Sequence, residues 1–350
     1  MDQPGPPCYP LPMRPIASPR VVLACLALLL GVACTPVVMP MGPAISPPAL
    51  APDAVVAADG ARLPMRAFPP DGPPRAVLLA LHGFNDHSGN FLADSIGALN
   101  EGGLLVYAYD QRGFGRSPNR GYWAGESTLA GDAATAARLL RARHPGLPLF
   151  LMGESMGGAV AVVAGTSADP PPVDGYVLLA PALWGRASMN AVMRGGLWVA
   201  ARTMPILGFQ GGVGGIVASD NPAALRRLGR DPLVLRSTRV DAAVGLVDLM
   251  DAATAALPTC CRNAAQQPVP VLLLYGDKDS VIPARPVRAA LRRLPPDSPV
   301  RIAIHEEGFH LLLTDSNRVA VAGDILAFTA DPAAPLPSGA EAFAPGWLAR

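Results

Sequence analysis

Six short apolar runs set the rhythm of the chain: Ala76 to Leu81, Leu104 to Tyr109, Leu149 to Met152, Val177 to Ala180, Val271 to Tyr275 and Val300 to Ile304. They are continuous rather than alternating, which predicts strands buried on both faces. The segments between most of them read as helices. Strands and helices in alternation predict an α/β fold, a mostly parallel central sheet with helices on both faces. Val55 to Ala57 and Leu63 to Phe68, flanking Asp59-Gly60, predict an opening hairpin. The regularity breaks between Pro181 and Pro268, so residues 182–268 read as an insertion between two sheet strands. Its first half is unusually apolar, with Met189, Met193 and Leu197 at helical i, i+4 spacing, followed by Trp198, Val199, Met204, Ile206, Leu207 and Phe209.

The third run leads straight into Gly153-Glu154-Ser155-Met156-Gly157-Gly158, and a helix is expected to leave it. A strand, a sharp glycine-flanked turn and a helix would push the Ser155 hydroxyl out at the strand's end, where it can act as a nucleophile. The helix start at Met156 would offer unpaired N–H groups and a positive dipole end to an oxyanion. A serine needs a base, and the base needs a carboxylate to fix its tautomer. In the order expected after such a serine, the chain supplies Asp279, in Gly276-Asp277-Lys278-Asp279, and His310, in Gly308-Phe309-His310. Both follow strand runs and fall at carboxyl ends of strands, where open α/β sheets place their sites. Asp277 is the competing acid. The loop His82-Gly83-Phe84-Asn85-Asp86-His87 follows the first run, and its Phe84 N–H is expected to pair with that of Met156 as the oxyanion hole. His82 is expected to be structural, because the base follows the acid in this topology.

These four stretches, together with Asp110-Gln111-Arg112-Gly113-Phe114-Gly115-Arg116-Ser117, resemble the α/β-hydrolase superfamily from Val55 to about Ala330. The resemblance is to its branch of monoacylglycerol lipases and bacterial lysophospholipase-like serine hydrolases. It implies residues 53–181 and 269–330 as the catalytic domain and residues 182–268 as a cap over the site. Glu154 departs from the branch, whose lipases commonly carry histidine there. The Asp110 to Ser117 loop reads as a brace for the sheet. The implied activity is hydrolysis of carboxylic esters of lipids, of monoacylglycerol or lysophospholipid type, through an acyl-enzyme. Leu197 and Trp198 are the expected cap contacts to the acyl chain. Peptidase, amidase or acyltransferase chemistry on the same scaffold, and a non-catalytic surface lipoprotein, are the alternatives.

A chain of 350 residues, 50% hydrophobic and 16% charged, can bury a large core, and its net charge of +1 gives no electrostatic case for nucleic acid. No P-loop, dinucleotide fingerprint or cysteine and histidine cluster of metal spacing is present, so no cofactor and no metal are implied. Oligomeric state is not readable.

The N-terminus carries a separate message. Val21 to Ala33 is apolar, preceded by Arg14 and Arg20 and followed by Cys34, and at thirteen residues is too short to span a bilayer. Residues 1–34 read as a secretory signal whose end resembles a bacterial lipoprotein processing site, Cys34 then becoming the lipidated first residue of an envelope protein held on a membrane; ordinary signal cleavage and an uncleaved anchor are the alternatives. The Pro-rich residues 35–52 suit an extended tether, and residues 331–350 a loosely ordered tail. Cys260 and Cys261 are expected as two free thiols, since adjacent cysteines close only a small ring.

Overall fold

The computed structural model describes residues 35–210 and 216–350. Nine strands form one sheet: β1 (Ala49–Ala51), β2 (Ala54–Val56), β3 (Arg62–Phe68), β4 (Ala76–Leu81), β5 (Leu104–Tyr109), β6 (Leu149–Glu154), β7 (Gly175–Leu179), β10 (Val271–Gly276) and β11 (Val300–His305). Their spatial order is β1-β2-β3-β5-β4-β6-β7-β10-β11. From β5 to β11 every pairing is parallel, while β1, β2 and β3 run antiparallel at one edge. All six apolar runs are therefore sheet strands. Five of them, β4, β5, β6, β7 and β10, are buried along their whole length, as a sheet covered on both faces requires.

The covering helices are α1 (Ile96–Glu101), α2 (Glu126–Arg143), α3 (Met156–Gly165), α4 (Ala191–Thr203), α5 (Pro222–Arg230), α6 (Val240–Ala256), α7 (Ala284–Leu291), α8 (Arg318–Ala330) and α9 (Ala340–Ala349). Alternate strand residues feed two cores. Leu149 and Leu151 of β6 join the core that holds α2, α3 and α6; Phe150 and Met152 join the one under α1 and α8. Between β7 and β10 lie α4, a small hairpin of β8 (Gly208–Phe209) and β9 (Thr238–Arg239), α5 and α6. Leu249, Ala253 and Leu257 are buried in the α2–α3 core, so the end of the 182–268 segment is a layer helix of the sheet rather than a lid.

The Asp110 to Ser117 loop braces the sheet as expected. Arg112 binds Asp59 through both terminal nitrogens at 2.7 and 2.9 Å and reaches Asp132 at 2.6 Å. Such bidentate pairs are held far more firmly than single surface contacts.

Three expectations are corrected. The segment read as an extended tether lies on the domain: Met39 N–H donates to the Trp123 carbonyl at 2.7 Å, Met41 N–H to Thr128 Oγ1 at 3.1 Å, and β1 joins the sheet. The segment read as a loose tail ends in α9. Trp347 is fully buried there, 5.1 Å from the Tyr275 ring, and Glu341 pairs with Arg301 at 2.6 Å. Burial of one large aromatic outweighs what proline content suggests. Cys260 and Cys261, both buried, are joined as a vicinal disulfide rather than being free thiols.

Residues 1–34, including Cys34, lie outside the described residues. Among the described residues no helix is long and apolar enough to cross a membrane.

Candidate active site

β6 ends at Glu154, and α3 starts at Met156, leaving Ser155 alone in the turn with φ +53° and ψ −113°. A non-glycine residue at positive φ is strained, and strain of this kind is found where a side chain must be presented. The flanking glycines are required by contact. A Cβ on Gly153 would fall onto the Gly157 carbonyl, and one on Gly157 onto the Leu81 carbonyl. The turn is held by Ser155 N–H donating to the Leu179 carbonyl at 2.9 Å and by Ala182 N–H donating to the Ser155 carbonyl at 3.0 Å.

His310 and Asp279 stand at the carboxyl ends of β11 and β10, as the strand pattern predicts. His310 Nδ1 lies 2.7 Å from Asp279 Oδ2, with both side chains buried. The other oxygen, Oδ1, accepts from the N–H groups of Val281 and Ile282 at 2.8 and 2.9 Å. This carboxylate is thus oriented by its own loop and aimed at one ring nitrogen. Asp277 is elsewhere, partly exposed and 3.8 Å from Arg350. Among the described residues nothing hydrogen-bonds to the N–H of Phe84 or Met156.

Ser155, His310, Phe84 and Glu154 border one cavity of about 420 Å³, a size that suits a small organic ligand. Its remaining wall is largely apolar: Trp184, Leu228, Leu235, Leu246, Met250 and Ile282 are the main contributors. The loop at residues 216–218 closes over it, since the Ala218 carbonyl accepts from the N–H groups of His310 and Leu311 at 3.1 and 2.9 Å.

The structure therefore brings together Ser155, Asp279, His310, Phe84 and Met156. It leaves out Leu197 and Trp198. These two line a separate, smaller hollow with Arg186 and Val244, where Leu197 packs toward the core and Trp198 stays 57% exposed under the Arg202 guanidinium, 4.2 Å from its ring. The apolar wall comes instead from α5, α6 and the loops beside them, which sequence reasoning passed over. Their apolar residues are spaced between charges and look like ordinary amphipathic helices, so only the amphipathic pattern of α5 pointed there.

The remaining histidines have structural tasks. His82 Nδ1 donates to the Gly83 carbonyl at 2.8 Å and Nε2 accepts from Gln111 N–H at 3.0 Å; burial pushes its imidazole down to about 4, so it stays neutral. His87 Nε2 meets Asp231 at 2.9 Å and ties the Phe84 loop to the end of α5. Among the described residues no group of three or more His, Cys, Asp or Glu could hold a metal ion.

The family model described as serine aminopeptidase, S33, matches residues 72–317. The chain belongs to this family. It is 28% identical to a monoacylglycerol lipase of Mycolicibacterium smegmatis, over 76% of this chain and 92% of that protein. To the human monoglyceride lipase it is 29% identical, over 74% of this chain and 82% of that one. Among solved structures, the Paleococcus ferrophilus monoacylglycerol lipase superposes with a TM-score of 0.58 at 26% identity, covering 76% of this chain and 98% of its own. The Saccharomyces cerevisiae monoglyceride lipase, at 19% identity, shares the fold with a TM-score of 0.64 over 84% of this chain and 97% of its own. The protein is a monoacylglycerol-lipase-like α/β-hydrolase.

Proposed function

We propose that this protein hydrolyses carboxylic esters of lipids, of monoacylglycerol or lysophospholipid type, through an acyl-enzyme on Ser155. The observation that carries the reading is the opening of Ser155 and His310 onto one largely apolar cavity, with Asp279 on the far side of the imidazole. In this scheme His310 Nε2 takes the Ser155 proton as Oγ attacks the ester carbonyl, and returns it to the departing alcohol. Asp279 keeps the proton on Nδ1 and orients the ring. The Phe84 and Met156 N–H groups receive the oxyanion. Water, deprotonated by the same imidazole, then frees the fatty acid. The family relatives are named monoacylglycerol and monoglyceride lipases, which supports the lipid-ester assignment.

An aminopeptidase needs a free carboxylate for its substrate's ammonium. Two carboxyl groups border the cavity: Asp86 has both oxygens taken by Asn90 and the His87 N–H, and Glu154 is 1% exposed with burial disfavouring its charged form. That geometry favours the ester. The test is a fluorophosphonate probe, expected to label wild type on Ser155, beside turnover of monoacylglycerols, lysophospholipids and short p-nitrophenyl esters. A protein that is labelled at another residue, or hydrolyses only amides, would overturn the reading.

We further propose that lipidated Cys34 holds the protein on an envelope membrane. Support comes from where the chain meets the domain. Val37 N–H donates to Asp241 at 3.3 Å, and Asp241 N–H donates to the Pro205 carbonyl at 2.9 Å, so Val37 lies beside the segment that joins α4 to β8. The exposed apolar run of α4 and β8 contains Arg194 and Arg202, and no acidic residue from Met189 to Ser219, which suits an anionic lipid surface.

A further inference from the structure

One buried ionisable group near the site has no part in the scheme above. Glu154, the residue before Ser155, is 1% exposed, and its Oε2 has no hydrogen-bond partner among the described residues. Strand alternation sends its side chain to the Phe150 and Met152 face of β6, behind the Ser155 turn. There Oε1 lies 3.7 Å from the position a Cβ would take on Gly83, under the loop that carries the Phe84 N–H.

The titratable groups around it are His82, Asp86 and His87 on the loop after β4, Asp279 on the loop after β10, and His310 and Asp315 after β11. None supplies a resident cation to Glu154. His82 is neutral, His87 is spent on Asp231, and His310 is spent on Asp279. Three of the neighbours, Asp86, Asp315 and Asp279, are acids. Burial first, and the charges of these three acids second, hold the Glu154 carboxyl well above the ordinary carboxylate range. Asp315 takes the Phe309 N–H on Oδ2 at 2.7 Å and further hydrogen bonds from Ser219 and the Asp220 backbone, while its Oδ1 is buried and unpaired. An anionic Glu154 would add an unpaired buried charge to a cluster already rich in acceptors, whereas a protonated one brings a donor.

We propose that Glu154 is a positioning residue that works only as a neutral carboxylic acid, and that loss of its proton shuts off turnover at alkaline pH. The charge it would acquire sits directly behind the two N–H groups assigned to the oxyanion and beside the loop that holds His310. Negative charge there opposes the negative charge that develops on the ester oxygen, inside a site where water screens poorly. The sign is fixed: the carboxyl is held neutral above the ordinary carboxylate range, so activity is retained below its ionisation and falls as pH rises through it.

This inference rests on the assignment of Ser155, His310 and the oxyanion donors, and the experiment separates the two. kcat for a soluble short-chain ester is measured against pH for wild type, Glu154→Gln and Glu154→Leu, with melting temperatures alongside. Glu154→Gln, neutral at every pH and still a donor, is expected to stay within about threefold of wild type at neutral pH and to lose the alkaline fall in kcat, KM being little changed. Glu154→Leu, which keeps neutrality but removes the donor altogether, is expected to lose about tenfold in kcat and also to lose the alkaline fall. An infrared difference spectrum of wild type against Glu154→Gln is expected to contain a protonated carboxylic C=O band at neutral pH, a readout that needs no turnover. An unchanged alkaline fall in Glu154→Gln, or no such band, overturns the inference. If Ser155→Ala retained turnover, the underlying site assignment would fail instead, whatever the Glu154 variants did.

Discussion

The insertion between β7 and β10 contains two apolar halves that end in opposite places. The first, from Met189 to Phe209, is the greasier in sequence, yet Val192 is 84% and Ile206 66% exposed. The second, α5 and α6, is broken up by Arg226, Arg227, Arg230, Asp241, Asp248 and Asp251, yet its Leu228, Leu246 and Met250 line the cavity beside Ser155. The difference lies in what each half leans on. α6 is locked by Val247, Leu249 and Ala253 against the core of the sheet, which leaves its next face toward the site. α4 touches α6 along one edge through Leu197 and Ala201, and its other face, with Val192 and Val199, is exposed. Apolar content says that a face needs cover; it does not say whether protein, substrate or lipid provides it.

That contrast has meaning only if one catalytic unit serves both halves. Ser155→Ala or His310→Ala should each lower kcat by about 10³-fold or more on long and short esters alike, because the triad acts as a unit. Purified variants with unchanged melting temperatures are the check. Turnover that survives in Ser155→Ala would detach the cavity from the chemistry. Next in size is the acid: Asp279→Asn should cost on the order of 10²- to 10⁴-fold, since the His310 tautomer depends on it. Asp277→Asn should stay within about twofold, as a partly exposed carboxylate 3.8 Å from Arg350 contributes little. The reverse order would move the acid and break the geometry argued from His310.

The second half of the insertion should respond to chain length. Met250→Gln and Leu246→Gln place polar groups on the apolar wall, so kcat/KM for long-chain esters should fall by about 10- to 100-fold, at roughly 0.8 kcal/mol for each substrate methylene that the wall no longer buries. Acetate and butyrate esters never reach that wall and should change by about threefold or less. A parallel loss at every chain length, with a large drop in melting temperature, would make these residues core rather than substrate wall.

Much of the fold and the chemistry is legible in the amino-acid sequence alone. The strands stand out because burial on both faces leaves continuous apolar runs, and the Ser155 turn because only glycines fit at Gly153 and Gly157. His310 and the pair Asp277 and Asp279 follow from strand ends, and the choice of Asp279 from the family resemblance. What escapes a reading of the sequence depends on contacts made across long separations. Trp347 finds its slot beside Tyr275, seventy-two positions away, so a proline-rich tail reads as loose until it is docked. Residues 35–52 read as a free tether because the carbonyl of Trp123 and the hydroxyl of Thr128, which hold their first part, lie far along the chain. Leu197 and Trp198 fail for the same reason. Their spacing identifies a helix face, and the partner of that face is decided by how α4 sits on α6.

The smallest effect is expected in the first half. Trp198 and Leu207 border neither the cavity nor its entrance residues, so Trp198→Gln and Leu207→Gln should leave kcat/KM for soluble esters within about twofold at every chain length, as surface changes usually do. On vesicles containing anionic phospholipid the same variants should bind about three- to tenfold more weakly, because each withdraws an apolar side chain from a face that carries Arg194 and Arg202 and no acid. Co-sedimentation with vesicles, with neutral vesicles as the comparison, reads this directly. The measurement uses protein that starts after Cys34, so that the proposed covalent anchor cannot hold every variant on the bilayer and hide the contribution of the exposed face of α4. Unchanged vesicle binding together with reduced turnover of long-chain esters would reverse the roles of the two halves and return Trp198 to the substrate path.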